Sequence, residues 1–411
     1  MMTIGETRSV GWKFLALYAF GYTGIWVALL TPVLVSIALK LRQLSPGSAV
    51  QDLALVLSVG AVVAIVSNPI FGHLSDRTRS RFGRRRPWLL AGMFCGTLAL
   101  VIVAQARNAG VVLAGWCLAQ LAFNAVLAAM VAVLPDQVPE RERGTVSGII
   151  SVCLPIGQAL GSVAVRATAD DTLLTFLLPA LLGCAAVLVF ALWLPDDVQP
   201  PPSSPFSLRD SLRGFWVDPR QYPDFGWACL SRFLIAMGSA FVTTYLPYYL
   251  IEGFGIAQER VAYHLSQAVV IQTVMMVLAG LVSGKLSDVV QRRKVFVFAG
   301  GLFYAAGLCL VALAPNYQSL VIGMAIAGIG HGAYFGTDLA LVTGVLRSRP
   351  HASGKDLGFV NVANTLPQSL TPALGSFVLL ATGGNYPVLF VLAGVSALLS
   401  SLAITPLRTV R

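Results

Sequence analysis

The chain has 411 residues, of which 56% are hydrophobic and only 11% charged, with a mean hydropathy of +0.76. A soluble domain carries about 25% charged residues, so this chain is solvated mainly by lipid. Its net charge of +10 does not point to nucleic acid, because the bases lie in short gaps between long apolar runs and not on one face of a water-soluble domain.

A spanning helix needs about 20 mostly apolar residues, and runs of this length hide their backbone polar groups as helices. The polar start, Met1 to Lys13, leads into an apolar run too long for a signal-peptide core, so the first helix is expected to act as an uncleaved signal anchor. Twelve helices are predicted: 14–40, 52–72, 87–105, 111–134, 145–167 and 172–194, then 224–250, 261–284, 295–313, 318–345, 357–381 and 387–406. A stretch rich in Pro, Ser and charge, 195–222, separates the two sets. The expected organisation is a six-helix bundle over 1–194, a cytoplasmic linker over 195–222 and a second bundle over 223–411.

Along these helices the polar residues are few. Helix 1 carries Tyr22 and Trp26 one turn apart, too deep for an interfacial belt. They could stack on a ring-shaped solute or simply pack. Helix 4 carries Gln120 and Asn124, helix 5 Gln158, helix 8 Gln272, and helix 11 Asn361, Asn364 and Gln368. Buried amides need partners, so each is a candidate solute contact. Arg232, early in helix 7, is a candidate counter-charge for a buried acid or an anionic solute, or it snorkels to the interface.

Helix 10 holds the exception among the acids. Asp338 stands eight residues before Leu346, roughly 12 Å into the membrane. A carboxylate there must be protonated, paired or facing a wet cavity, and an acid that alternates between those conditions is what proton coupling requires. His331 lies two turns earlier on the same face, with Tyr334 and Phe335 between. It could relay protons, contact a solute or bond a neighbouring helix. Gly328, Gly332 and Gly336 form a small-residue ladder that permits close packing.

The six cysteines all fall in apolar runs without a CxxC pattern and read as small buried hydrophobes. No metal or cofactor signature is present, nor any HExxH, nucleophile elbow or phosphate loop, so an enzyme is not expected.

Orientation follows from Lys and Arg. With the N-terminus cytoplasmic, 22 of the 28 bases fall on that side, which sets both termini in the cytoplasm. Six of them are arginines of one loop, "GHLSDRTRSRFGRRRPW", Gly72 to Trp88. The halves are copies: "GHLSD" at 72–76 recurs as "GKLSD" at 284–288, "VLPD" at 133–136 aligns with "VLRS" at 345–348, and "LP" at 154–155 with "LP" at 366–367, each at an offset of 212. Parallel six-helix repeats are a transporter architecture, with the solute held near the midplane.

The basic loop resembles the signature of the major facilitator superfamily, Gly-x-x-x-Asp-Arg followed by a Gly-Arg-Arg run, with a degraded second copy at Gly284 and Asp288. That likeness implies an all-α membrane fold of two pseudo-symmetric six-helix bundles. It implies a gating role for Gly72, Asp76, Arg77, Arg84 and Asp288, with Gly72 admitting a close helix neighbour. "SDRTRSRFGRRRPW" and "LGFVNVANTLPQ" (Leu357 to Gln368) are similar to segments of glycoside and sucrose:cation symporters. Sodium-coupled members of that branch carry acids inside helix 2, whereas Leu53 to Phe71 has none, a departure that speaks against sodium coupling and weakens sugar as the solute; proton coupling rests on Asp338. "CLPIGQALG" (Cys153 to Gly161) faintly resembles the Gly-Pro motif of proton-antiporting drug exporters. The expectation is a monomeric inner-membrane carrier of a small organic solute, proton-coupled, by symport of a glycoside-like solute or else by antiport of a drug or secondary metabolite.

Overall fold

The computed structural model describes residues 10–139, 141–196, 223–290, 292–347 and 354–407. The predicted linker therefore lies almost wholly outside the described residues. Those residues form twelve helical runs and no strand. In the first set are α1 (Trp12–Leu44), α2 (Ala49–Arg77), α3 (Arg86–Ala104), α4 (Ala109–Gln137), α5 (Arg143–Ala167) and α6 (Thr172–Trp193). The second set is α7 (Pro223–Glu252), α8 (Gln258–Val290), α9 (Arg293–Ala312), α10 (Tyr317–Arg347), α11 (Gly354–Ala381) and α12 (Tyr386–Ile404). Eleven of them are long and apolar enough to cross a membrane.

Local chemistry sets the ends and bends. Pro87 occupies the first turn of α3, where its missing N–H costs nothing. Asn108 Oδ1 caps α4 by accepting from Val111 N, and Asp171 Oδ1 caps α6 by accepting from Leu173 N and Leu174 N. Pro32 opens a single π-helical stretch, Pro32–Ser36, that interrupts α1.

By contacts the chain divides into two compact units, Met1–Pro46 with Val62–Phe206, and Gly47–Ala61 with Ser207–Arg411. Packing repeats between the two sets of helices. In the first, α1 packs on α5 and α6, and α3 on α4 and α6. Six helices later, α7 packs on α11 and α12, and α9 on α10 and α12. The duplication read from three short matches is thus a duplication of packing. One pair breaks the pattern: α8 lies along α10 in extended contact, and the equivalent α2–α4 pair does not.

The cysteines depart from expectation. Cys153 and Cys229 are buried, but Cys95 is exposed and Cys117, Cys184 and Cys309 are half-exposed. A thiol is apolar enough to face lipid, so a position in an apolar run does not imply burial in protein.

Candidate functional site

Arg232 stands nine residues after Pro223 of α7 and Asp338 nine before Arg347 of α10, in each case about 13 Å along the axis. The two meet: Arg232 Nε lies 3.4 Å from Asp338 Oδ2, with the carboxylate fully buried and the arginine side chain 11% exposed. The guanidinium also sits 6.0 Å over the Phe335 ring. A buried ion pair gives little stability over an apolar pair of similar volume, so stability does not account for this one.

A hydroxyl cluster adjoins it. Ser231 Oγ is 2.9 Å from Tyr334 OH and 3.0 Å from Ser400 Oγ, and Ser400 Oγ donates to Ser231 O. Composition alone did not single out Ser231 and Ser400; the available signal was that Ser231 immediately precedes the one arginine of an apolar run. His331 is buried, with its ring stacked on Tyr304 (4.7 Å, 17°) and edge-on to Phe335 (4.8 Å). Its Nε2 makes no hydrogen bond among the described residues.

The first unit carries a cluster of amides. Asn124 Nδ2 donates to Gln120 O at 2.8 Å and to Gln120 Oε1 at 3.1 Å, while Asn68 Nδ2 of α2 reaches Asn124 Oδ1 at 3.4 Å. Asn68 was missed because a lone Asn before Pro69 reads as a helix breaker. Gln158 and Gln272 are half-buried and Gln368 is exposed. The side chains of Asn361, Asn364 and Asp288 lie outside the described residues. Tyr22 and Trp26 are neighbours at 6.3 Å but tilted by 58°, not stacked, because Tyr22 meets Tyr18 edge-on at 5.8 Å. Trp26 Nε1 is buried without a hydrogen-bond partner among the described residues.

The basic loop is a charge cluster. Arg85 pairs with Asp76 at 2.5 Å and with Asp136 at 3.0 Å, and it also donates to Ser75. Arg84 pairs with Asp136 at 2.7 Å. Of the residues given a gating role by the likeness, Asp76 pairs with Arg85, a buried arginine the sequence reading did not single out, and Arg77 is exposed. Asp196 Oδ2 accepts from Arg85 N (2.6 Å) and Arg86 N (2.8 Å) at the start of α3. Gly83, at φ +101°, leaves the room that a Cβ would take from Asp196. The close approach expected at Gly72 is absent: a Cβ there would stop 4.0 Å from Ala128 Cβ.

The chain matches the Major Facilitator Superfamily over residues 14–271 and 228–411. It is 28% identical over 124 residues to sucrose transport protein SUC3 of Arabidopsis thaliana (25% of this chain, 21% of that one). It is 33% identical over 103 residues to multidrug resistance protein 3 of Bacillus subtilis (25% and 20%). It is 52% identical over 50 residues to an uncharacterized symporter, sll1374, of Synechocystis sp. (12% and 9%). The matches thus span about a fifth or less of these curated relatives. In fold it is similar to the crystal structure of a bacterial homolog of the human lysosomal transporter Spinster, at a TM-score of 0.68 and 14% identity over 96% of this chain and 94% of that one. With the repeated helix packing and the family match over both halves, the chain belongs to the Major Facilitator Superfamily and is a multi-pass membrane transporter, not an enzyme.

Proposed function

We propose that the protein is a proton-coupled secondary transporter of a small organic solute, with Asp338 as the proton carrier. The observation that carries this reading is the Arg232–Asp338 pair inside an apolar span. An intramembrane ionisable residue is costly and is kept for a function. Protonation of Asp338 removes the charge that holds Arg232 and releases the guanidinium; loss of the proton draws it back. Proton occupancy is thereby converted into a choice between two arrangements of α7 and α10, the differential contact that alternating access requires. His331, with its unpartnered Nε2, is the second proton site. Solute contacts come from the amides and aromatics of α1, α4, α5, α8 and α11, and from Arg232 and Tyr334. The cluster around Asp76, Arg84 and Arg85 latches the cytoplasmic ends, with Gly72, Arg77 and Asp288 belonging to the same device.

Symport of a glycoside-like solute is supported by the loop and α11 segments and by the likeness to a sucrose transport protein. Antiport of a drug is the second reading. It is supported by the likeness to a multidrug resistance protein and by Pro155, Gly157 and Gly161, where α5 packs tightly on Trp26 and Thr31 of α1. The asymmetry of bases supports cytoplasmic termini; the reading takes the carrier as an inner-membrane monomer with functional halves 1–194 and 223–411 joined by 195–222.

In proteoliposomes an imposed pH gradient drives net solute flux through the native chain, and Asp338→Asn abolishes accumulation while retaining solute exchange. Inward accumulation with an inward proton gradient selects symport, and depletion selects antiport. Accumulation that survives in Asp338→Asn refutes the proton assignment.

A further inference from the structure

The offset of 212 allows each polar position to be compared with its duplicate. Gly280, Gly332 and Gly336 of the second half correspond to Asn68, Gln120 and Asn124 of the first, and Gly328 to Trp116. In the second half these glycines bring backbones together. A Cβ on Gly336 would stop 2.5 Å from Gly280 O, one on Gly280 would stop 3.3 Å from Gly332 O, and one on Gly332 would collide with Met276 O. In the first half the same register positions hold three amides, so α2 is kept away from α4, and a Cβ on Gly72 would stop 4.0 Å from Ala128 Cβ whereas one on its duplicate Gly284 would meet Gly336 O at 3.4 Å. The converse holds for charge: Arg232 and Asp338 correspond to Phe20 and Val126.

The amides do not satisfy one another. Asn124 uses its nitrogen on Gln120 and its oxygen on Asn68, which leaves Gln120 Nε2 and Asn68 Oδ1 without a partner within the cluster. Trp116, one turn before Gln120 on the same face, is fully buried and its Nε1 has no acceptor among the described residues. Pro69 withholds the N–H that Ile65 O would accept in an unbroken helix. Asn68 is half-buried and Ile65 exposed, so within the span these polar groups stand open to a partner from outside the protein. Donors and acceptors are mixed, and α2 from Leu53 to Phe71 carries no charge, so the complementary partner is neutral and hydroxyl-bearing, since each hydroxyl both donates and accepts.

Resting on the transport reading above, we propose that the two halves divide the work: the α2–α4 seam, through Asn68, Gln120 and Asn124, is a subsite for a neutral polyhydroxylated solute, and Asn68 sets its specificity. The second half, closed by glycine at that seam, carries the Arg232–Asp338 pair instead.

The test is equilibrium binding to the full chain in detergent, without a proton gradient, using sucrose and p-nitrophenyl-α-glucoside, their monodeoxy analogues, and glucuronate and glucosamine as charged counterparts. Asn68→Ala and Asn124→Ala each weaken binding of a neutral glycoside by about tenfold. One monodeoxy analogue loses about the same factor on the native chain and nothing further on Asn68→Ala, a complementation that a purely structural role does not produce. Asn68→Ser retains part of the affinity and serves if the alanine variant does not fold. Binding unchanged by these substitutions, a deoxy penalty that persists in full on Asn68→Ala, or binding of charged sugars alone or of none of the panel overturns the subsite. Because no gradient is applied, such a failure is separate from failure of the Asp338 assignment, which is read from flux.

Discussion

Removing one member of the α7–α10 ion pair and then both measures whether the pair is a functional unit. In Arg232→Met the fully buried carboxylate of Asp338 loses its cation, and such an uncompensated charge costs about 3–5 kcal/mol. The Nε–Oδ2 approach of 3.4 Å is long for a charge-assisted hydrogen bond, which places the cost toward the lower end, about 3 kcal/mol. In Asp338→Asn the guanidinium is stranded, but at 11% side-chain exposure it has some access to water and to the Phe335 face, so the loss is smaller. The double variant buries no charge, and its loss falls below that of Arg232→Met alone. The coupling energy from the cycle is about 2 kcal/mol. Unfolding of each variant in mixed micelles, followed by the fluorescence of the seven tryptophans, gives the four free energies. A double-variant loss equal to the sum of the single losses within about 0.5 kcal/mol refutes the pairing and with it the release step of the proposed cycle.

Two further outcomes follow from packing and capping. Gly332→Ala forces a methyl into the Met276 carbonyl and costs about 1–3 kcal/mol, whereas Gly72→Ala, with 4.0 Å to Ala128 Cβ, changes stability by less than about 0.5 kcal/mol; equal losses in the same unfolding assay would contradict the seam asymmetry. Asp196→Ala removes the acceptor for Arg85 N and Arg86 N and lowers stability by about 1–2 kcal/mol, with faster amide exchange confined to the first turn of α3; uniform exchange rates would show that Asp196 does not cap that helix.

Helix positions were legible because lipid imposes a length and a composition on every span, and the duplication because three short matches share one offset. The partners within the basic loop were not. The family likeness gave Asp76, Arg77 and Arg84 a gating role without naming partners, and the loop folds back so that Arg85, nine residues on from Asp76, reaches both Asp76 and Asp136. Asp338 stood out by its rarity and Arg232 as a candidate counter-charge for a buried acid, which is the role the structure gives it. Nothing local to an arginine more than a hundred residues earlier on another helix decided between that role and snorkelling.

The duplication supplies what locality cannot. Pro155 and Pro367 occupy equivalent places in α5 and α11, and a residue kept in both copies serves what the copies share, which is the bundle. Where the copies differ in polarity, as at Asn68 and Gly280 or Val126 and Asp338, the bundle alone requires neither residue, and chemistry has to account for the difference. Identity at a duplicated position is still not enough. Gly72 and Gly284 are the same residue, but only Gly284 approaches a neighbouring backbone, because the amides four residues before Gly72 and across on α4 hold α2 away. What a glycine does in this fold is decided by the side chains one turn away, and the same asymmetry that opens the first seam leaves the second half free to carry the charge.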